Sequence, residues 1–273
     1  MRFEDFARAH GLIINSLVPN KWVATPTEDH PRKRNGRYKF MGDIGWVQNW
    51  ATMTKPEMWR SVTPVTPQIR QAIRRADDER RDAAERAAAK AGWILHQTEL
   101  LHHPYLEKKG FPDETANVWV KDGQKILVIP MRINNRIVGA QLIDEQGQKK
   151  FLYGQTTKGA AFTIDAKGLP IFCEGYATGL SVRAVMKAVK MRYTIYICFS
   201  ASNLEHIARG INGGIVIADN DPNQVGEKAA KAALKPYWIS PAVGEDFNDF
   251  HNRVGLFQAS QSLKKILIHA AHA

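Results

Sequence analysis

Cysteine is almost missing from this chain of 273 residues: Cys173 and Cys198 are its two thiols, each inside an apolar run, and no cysteine precedes them. That scarcity excludes a disulfide framework and a four-cysteine zinc site, and it predicts reduced, buried thiols. No apolar run approaches the ~18 residues of a membrane span. The opening Met1-Arg2-Phe3-Glu4-Asp5 also lacks an apolar secretory core, so a cytoplasmic protein with no membrane partner is expected. No Gly-x-x-x-x-Gly-Lys-Ser/Thr loop occurs, which excludes a P-loop motor. Internal repeats and low-complexity tracts are absent. Acid is in deficit, with 27 Asp and Glu against 38 Lys and Arg for a net charge of +11, and such an excess suits a polyanionic partner.

What is present reads as a core-forming globular protein, 44% hydrophobic and 24% charged. The length is about 1.8 times a typical domain, which predicts two globular units or one with an appendage. Phe3, Phe6 and Ala7 share a helical face, with Gly11 as a stop. Strand-like stretches at Trp22–Ala24, Arg37–Phe40 and Gly45–Val47, with turn signals such as Asn35-Gly36, predict a small β-rich unit. Thr66 reads as an N-cap with Pro67 at the first helical position, opening a long helix to about Ala91-Gly92. Ile69, Ala72, Ile73 and Ala76 form its apolar stripe, and mixed charges beyond them give the pattern of a solvated connector.

Past His102 and His103, which read as surface or packing residues, Pro104-Tyr105-Leu106 opens a short helix. Strands at Ile126–Ile129, Ile137–Ile143 and Phe151–Tyr153, with turns at Asn134-Asn135 and Gln146-Gly147, predict a small antiparallel sheet. From residue 169 the texture changes to alternating strands and helices. Ile171–Cys173, Thr194–Ile197, Gly214–Ile217 and Tyr237–Ile239 are short and mainly apolar, as strands of a parallel α/β sheet buried on both faces are.

In such sheets ligands bind at the carboxyl ends of the strands, and here three ends run into acid: Glu174-Gly175, Asp219-Asn220-Asp221, and Glu245-Asp246-Phe247-Asn248-Asp249. Each acid taken singly reads as a helix cap or a solvated loop residue. Together they suit a hard divalent cation, which prefers carboxylate oxygens and relieves their mutual repulsion.

Glu174-Gly175 after one apolar strand, with Asp219-Asn220-Asp221 two strands later, resembles the TOPRIM domain of primases, topoisomerases and some nucleases. Upstream, His103–Phe111, Arg136–Gln141 and Lys149–Gly154 resemble the amino-terminal half of a bacterial-type primase core, especially phage and plasmid versions. The resemblance implies a general acid/base role for Glu174 and Mg2+ (or Mn2+) held by Asp219 and Asp221, with Glu174, Asp246 and Asp249 completing the metal-binding acids. Gly175 fits a tight turn, and Gly226 with the alanines after it suits close helix packing. Four residues, Pro222 to Val225, make the spacing from Asp221 to Gly226 longer than in cellular primases.

Residues 30 to 50 interleave Arg32, Lys33, Arg34, Arg37 and Lys39 with Tyr38, Phe40, Trp46 and Trp50, a mix that neutralises phosphates and stacks bases, or else a small aromatic core with a solvated basic loop. Tyr38 and Trp46 are the stacking candidates. The position matches the zinc-ribbon template reader of primases, but without its cysteines no zinc is expected. By the same resemblance Arg132, Arg136, Lys149, Lys150 and Lys158 face the acidic site and bind nucleotide or template, with Arg136, Lys150 and Lys158 first on motif position. As exposed strand residues they also serve to discourage aggregation.

The expected fold class is therefore α/β, a TOPRIM Rossmann-like parallel sheet preceded by a small α+β primase-core subdomain and a small zinc-free β-rich N-terminal domain. The expected divisions are 1–62 (template binding), 63–98 (helical linker), 99–169 (primase-core subdomain), 170–255 (TOPRIM) and 256–273 (C-terminal helix). The last segment carries Leu256, Phe257, Leu263, Ile266, Leu267 and Ile268 for packing on the sheet or contact with a helicase. The implied function is a phage or mobile-element DNA primase that makes RNA primers on single-stranded DNA from ribonucleoside triphosphates, with a separate replicative helicase as partner. A TOPRIM nuclease and a decayed single-stranded DNA-binding or helicase-loading adaptor are the alternatives. Of the +11, residues 1 to 169 carry +8, so the basic excess precedes the acidic domain.

Overall fold

The computed structural model describes residues 1–62, 67–165 and 167–271. The chain forms two compact units, Met1–Asp82 and Ala83–Ala273.

The first unit carries helix α1 (Phe3–Ala9) and strands β1 (Trp22–Thr25), β2 (Gly36–Phe40), β3 (Ile44–Asn49) and β4 (Glu57–Arg60), paired antiparallel in that order. Gly11, with φ of 74°, follows α1 as the stop read from the sequence. Along β2 the side chains alternate, so Tyr38 and Phe40 enter a core with Phe3, Val47 and Trp59 while Arg37 and Lys39 face outward. β4 has no legible pattern because Trp59 alone is buried there. Helix α2 (Pro67–His96) opens at the expected proline, and the Thr66 cap lies outside the described residues. Its first half is largely solvated: Ile69 and Ala72 are exposed, Ile73 and Ala76 half-buried. Asn20 Nδ2 donates there to Ile73 O and Asp77 Oδ2.

The second half of α2 belongs to the other unit and is no solvated connector. Ala87, Ala91 and Ile94 are buried against Val128, Ala140 and Leu152. Burying Ile94, worth roughly 1.5–3 kcal/mol, outweighs the ~1 kcal/mol cost of glycine, and the helix continues past Gly92 to His96. The sheet beneath is antiparallel in the order β5 (Glu99–Leu101), β6 (Ala116–Lys121), β7 (Gln124–Ile133), β8 (Arg136–Ile143), β9 (Lys149–Phe151). Short helix α3 (Pro104–Lys108) follows β5. His103 caps it, its Nδ1 accepting from Tyr105 N at 3.2 Å, which settles that histidine as a buried capping residue. Asn134 and Asn135 both have positive φ, the requirement of a two-residue type I′ turn between β7 and β8.

The remainder is the alternating region: β10 (Phe162–Asp165), β11 (Leu169–Cys173), α4 (Tyr176–Ala188), β12 (Tyr193–Ile197), α5 (Ala201–Gly210), β13 (Ile215–Ala218), α6 (Val225–Ala232), β14 (Tyr237–Ile239) and α7 (Phe247–Ala271). Its sheet has the order β10-β12-β11-β13-β14, with β11 to β14 parallel and β10 antiparallel on the edge. The sequence reading has no strand at β10, because burial alternates weakly along that edge. Helices α4 and α7 cover one face through Leu180, Val185, Phe247 and Leu263, and α5 and α6 the other through Leu204, Ala208 and Ala230. α7 breaks at Gly255 (φ 79°, ψ 165°), after which Ala259, Leu263 and Leu267 are buried while Leu256, Phe257 and Ile268 are exposed. The chain leaves β11 to one side for β12 and returns past it to β13, so the carboxyl ends of neighbouring β11 and β13 flank the topological switch point.

Candidate active site

Glu174 stands directly after β11 and Asp219 directly after β13, so two distant residues become neighbours at that switch point. Both are pulled from water and crowded by like charge. Burial, then the charge of Asp221, pushes the Glu174 carboxyl up to about 7, against a backbone hydrogen bond from Ala201 at the start of α5 and the charge of Lys149. Burial, then Glu174, Asp246 and Asp221, pushes Asp219 up to about 8, with Lys149 again opposing. Asp219 Oδ1 is buried and has no hydrogen-bond partner. A buried acceptor without a donor is costly, and an oxygen of that kind among carboxylates suits a cation.

Packing holds Asp219 in place. A Cβ on Gly226 would collide with Asp219 O, so glycine lets α6 sit against the acidic loop. The longer spacing before Gly226 is taken up by a turn in which Gln224 N donates to Asp221 O at 2.8 Å and Gln224 adopts φ of 56°. Asn220 Nδ2 donates to Ser240 O, and Gly244 N donates to Asn220 O, tying this loop to the segment that carries Asp246. Gly175 is a correction: its φ is −102°, a region open to any residue, and it serves as the N-cap position of α4 rather than as a tight left-handed turn.

The later acids divide. Asp246 Oδ1 accepts from Asp249 N at 2.8 Å and caps α7, while its charge still reaches Asp219. Asp249 is paired with Lys109 Nζ at 3.2 Å. Buried Asn248 holds the start of α7 by donating to Lys109 O and Ser181 Oγ, and His251 Nδ1 meets the same hydroxyl at 3.0 Å. None of Lys109, Ser181, Asn248 and His251 figures among the sequence candidates. Only their long-range contacts connect them, and no local pattern signals those.

Among the basic candidates, Lys149 on β9 is the one whose charge bears on both Glu174 and Asp219. Lys150 and Arg136 are exposed on β9 and β8. Lys158 lines a cavity of about 530 Å³ with Ser200, Asn203, His206 and Arg209. Arg132, which donates to Asn135 O, lines a separate cavity of about 520 Å³.

In the first unit Arg32, Lys33 and Arg34 are exposed in the β1–β2 connection and paired with no acid among the described residues. Arg37 lies over the Trp22 ring at 4.4 Å, and Lys39 over the half-buried Trp46 at 6.0 Å. Tyr38 is a correction. It is 1% exposed, and its hydroxyl donates to Ser16 O and accepts from Val18 N, so it is a core residue that cannot stack on a base.

Among the described residues no cluster of three or more His, Cys, Asp or Glu converges as a metal cage. Mg2+ characteristically takes one or two protein carboxylates and completes its shell with water and phosphate, and the unpartnered oxygen of Asp219 with Asp221 and Glu174 beside it fits that sparse donor set. The thiols of Cys173 and Cys198 are buried, with burial pushing both up. No helix among the described residues is long and apolar enough to cross a membrane.

Residues 170–256 match the Toprim domain family. Among solved structures, the chain is similar to a bacteriophage T7 assembly of the lagging-strand DNA polymerase with primase domains of two gp4 subunits, bound to an RNA/DNA hybrid and dTTP. The identity there is 16%, over 62% of this chain and 92% of that one, with a TM-score of 0.45. It is also similar to the primase fragment of the bacteriophage T7 primase-helicase protein (18% identity, 59% of this chain and 68% of that one, TM-score 0.40). A DNA primase domain from Pseudomonas aeruginosa is a further neighbour (14% identity, 65% and 59%, TM-score 0.36). The family match falls on the parallel sheet whose switch point gathers the carboxylates, and residues 170–256 of this chain are a Toprim domain.

Proposed function

We propose that this protein is a DNA primase of phage or mobile-element type, which copies single-stranded DNA into short RNA primers from ribonucleoside triphosphates. The observation that carries the reading is the half-buried carboxylate pair at the switch point of a Toprim domain, Asp219 with a shielded, unpartnered oxygen and Glu174 beside it. The antiparallel sheet favours polymerisation over hydrolysis: the two primase-like segments Arg136–Gln141 and Lys149–Gly154 lie along β8 and β9, and β9 delivers Lys149 to the same carboxylates.

Asp219 and Asp221 would hold Mg2+ (or Mn2+), with Glu174 and Asp246 flanking and Asp249 further out in its pair with Lys109. Bound there, the ion supplies polarisation of the nucleotide α-phosphate and neutralisation of the leaving pyrophosphate. Glu174, whose charged form the nearby Ala201 N–H favours, takes the proton of the attacking 3′-hydroxyl. Lys149 compensates negative charge on the transferring phosphoryl group. Arg132, Arg136, Lys150 and Lys158 contact phosphates of nucleotide and template, and Arg32, Lys33, Arg34, Arg37, Lys39 and Trp46 hold the template strand. The division of labour proposed is template binding by 1–62, helical linkage by 63–98, the primase-core subdomain at 99–169, Toprim chemistry at 170–255 and a C-terminal helix beyond. Strand opening is left to a separate replicative helicase.

The test combines the full chain, single-stranded DNA, Mg2+ or Mn2+ and labelled ribonucleotides. Template-dependent short RNA that disappears in Asp219→Ala and Glu174→Ala is the expected result. Strand cleavage without incorporation would instead assign a nuclease, and DNA binding with neither activity, helicase present, an adaptor.

A further inference from the structure

Phe199 adopts a backbone conformation that its side chain disfavours, at the edge of the acidic site. Its φ is 67°, in the left-handed region that bulky residues avoid. Its N–H donates to Glu174 O at 2.9 Å, so the backbones of these two residues are tied together at the strand ends. The hydrogen bond explains how the conformation is held; it does not explain a phenylalanine where glycine or asparagine would be easier. Such strain persists where the side chain is needed in that place.

The ring of Phe199 meets Phe151 edge to face, with centroids 6.2 Å apart and planes at 82°. Phe151 is 45% exposed on β9. It is the alternate neighbour of Lys149, so the two side chains leave the strand on the same face. Phe199, tied through its N–H to Glu174 O, meets the Phe151 ring, which places Phe151 at the carboxylate end of β11, and Lys149 is the lysine whose charge bears on Glu174 and Asp219. One strand thus presents a cation for phosphate and an aromatic surface beside it, while the second ring is strained into contact.

We propose that Phe151 and Phe199 form a stacking platform for the base of the ribonucleoside triphosphate whose phosphates are handled at Asp219, Glu174 and Lys149. The proposal rests on the nucleotidyl-transfer reading. Stacking suits this role because each template position calls for a different base: every base has a π-face, whereas hydrogen-bonding groups would select among them. Phe151 supplies the open surface, and Phe199 buttresses its edge and fixes its angle.

The test is equilibrium binding of 2-aminopurine riboside triphosphate to the full chain, with Ca2+ as a non-turnover divalent ion. Wild-type protein is expected to quench the fluorophore, as stacked bases are quenched. Phe151→Ala is expected to weaken binding roughly tenfold and abolish the quench, Phe151→Tyr to restore both, and inorganic tripolyphosphate to bind all three alike. Phe199→Asn, which tolerates the left-handed conformation but removes a ring packed against the core and against Phe151, is expected to weaken base binding, and its melting temperature and tripolyphosphate affinity, measured alongside, separate that loss from unfolding. Unchanged affinity and quench in Phe151→Ala would overturn the platform and leave the primase reading standing. Loss confined to an oligonucleotide carrying terminal 2-aminopurine would also overturn it, assigning the rings to the nucleic-acid strand. Wild-type protein that binds neither triphosphate nor oligonucleotide would overturn the functional reading first.

Discussion

The four-stranded sheet of Met1–Asp82 and the parallel sheet of the Toprim domain treat charge in opposite ways. In the first, Arg32, Lys33 and Arg34 lie exposed without acidic partners among the described residues, and the buried side-chain oxygens that lack a hydrogen bond, Asn20 Oδ1 and Thr27 Oγ1, are neutral. In the second, Asp219 is half-buried beside Glu174, and its shielded Oδ1 has no partner. A solvated cation costs the fold almost nothing and is available to any phosphate that approaches. A buried carboxylate is held at the expense of stability and gains only when a cation arrives. On the proposed function the first region serves diffuse, salt-sensitive attraction and the second one defined ligand.

The sharpest way to break that contrast is at Asp219. Asp219→Asn keeps the shape and removes the charge, so primer synthesis is expected to fall by at least ~10²-fold. At pH above about 8, where Asp219 ionises, the metal-free variant is expected to melt at a higher temperature than metal-free wild type, because the repulsion among the carboxylates is gone. A variant less stable than wild type would show that Asp219 supports the fold rather than burdening it.

Gly226→Ala is next. The added methyl has Asp219 O in its way, and overpacking of this kind costs typically 1–3 kcal/mol. A lowered thermal midpoint together with weaker Mg2+ dependence of activity is the expected pairing. Loss of stability with unaltered metal dependence would separate α6 packing from the site.

The third handle is pH. Asp219 in the folded protein keeps its proton up to about 8, against 3.8 as the ordinary value, so between those values the folded state holds more protons than the unfolded one and stability falls as pH rises. His103 and His251, lowered by burial from 6.5, act in the opposite sense, with their contribution complete above that value. Metal-free protein should therefore lose thermal stability between about pH 7 and 8, and Mg2+ should restore it at the upper end. A flat profile, or one that Asp219→Asn leaves unchanged, would contradict the assignment.

In the basic region the effects are smaller and concern binding. Replacing Arg32, Lys33 and Arg34 by alanine should reduce the slope of log affinity for single-stranded DNA against log salt by about 2, since each phosphate contact in single strands contributes roughly 0.7. An unaltered slope would remove these residues from the interface. Smallest of all is Tyr38→Phe, expected to destabilise the first unit by about 1 kcal/mol through its lost hydrogen bonds and to leave DNA affinity unchanged. A change in affinity without a change in stability would return Tyr38 to the template surface.

Several of these handles are legible without coordinates. Four mainly apolar strands spaced by helical segments indicate a parallel sheet covered on both faces, and acids at three of their carboxyl ends announce where ligands go, because both follow from period and polarity along the chain. The turn at Asn134-Asn135 and the stop at Gly11 are equally local, since positive φ selects those residue types. What the sequence by itself determined is thus the α/β alternation, the acidic strand ends and the segregation of basic charge toward the amino-terminal part.

Tertiary structure decided the rest, because it depends on residues far apart in the chain. It assigned the end of α2 to the core through Ile94 and placed β10 antiparallel on the edge of the parallel sheet. It turned Tyr38 inward through the alternation of β2, and gave Asp249 to Lys109 across an interval no local pattern spans. The orphaned oxygen of Asp219 and the strained Phe199 are likewise invisible in sequence. Burial, repulsion and strain are properties of neighbours in space, and only the folded chain brings Glu174, Asp219 and Lys149 within reach of one another.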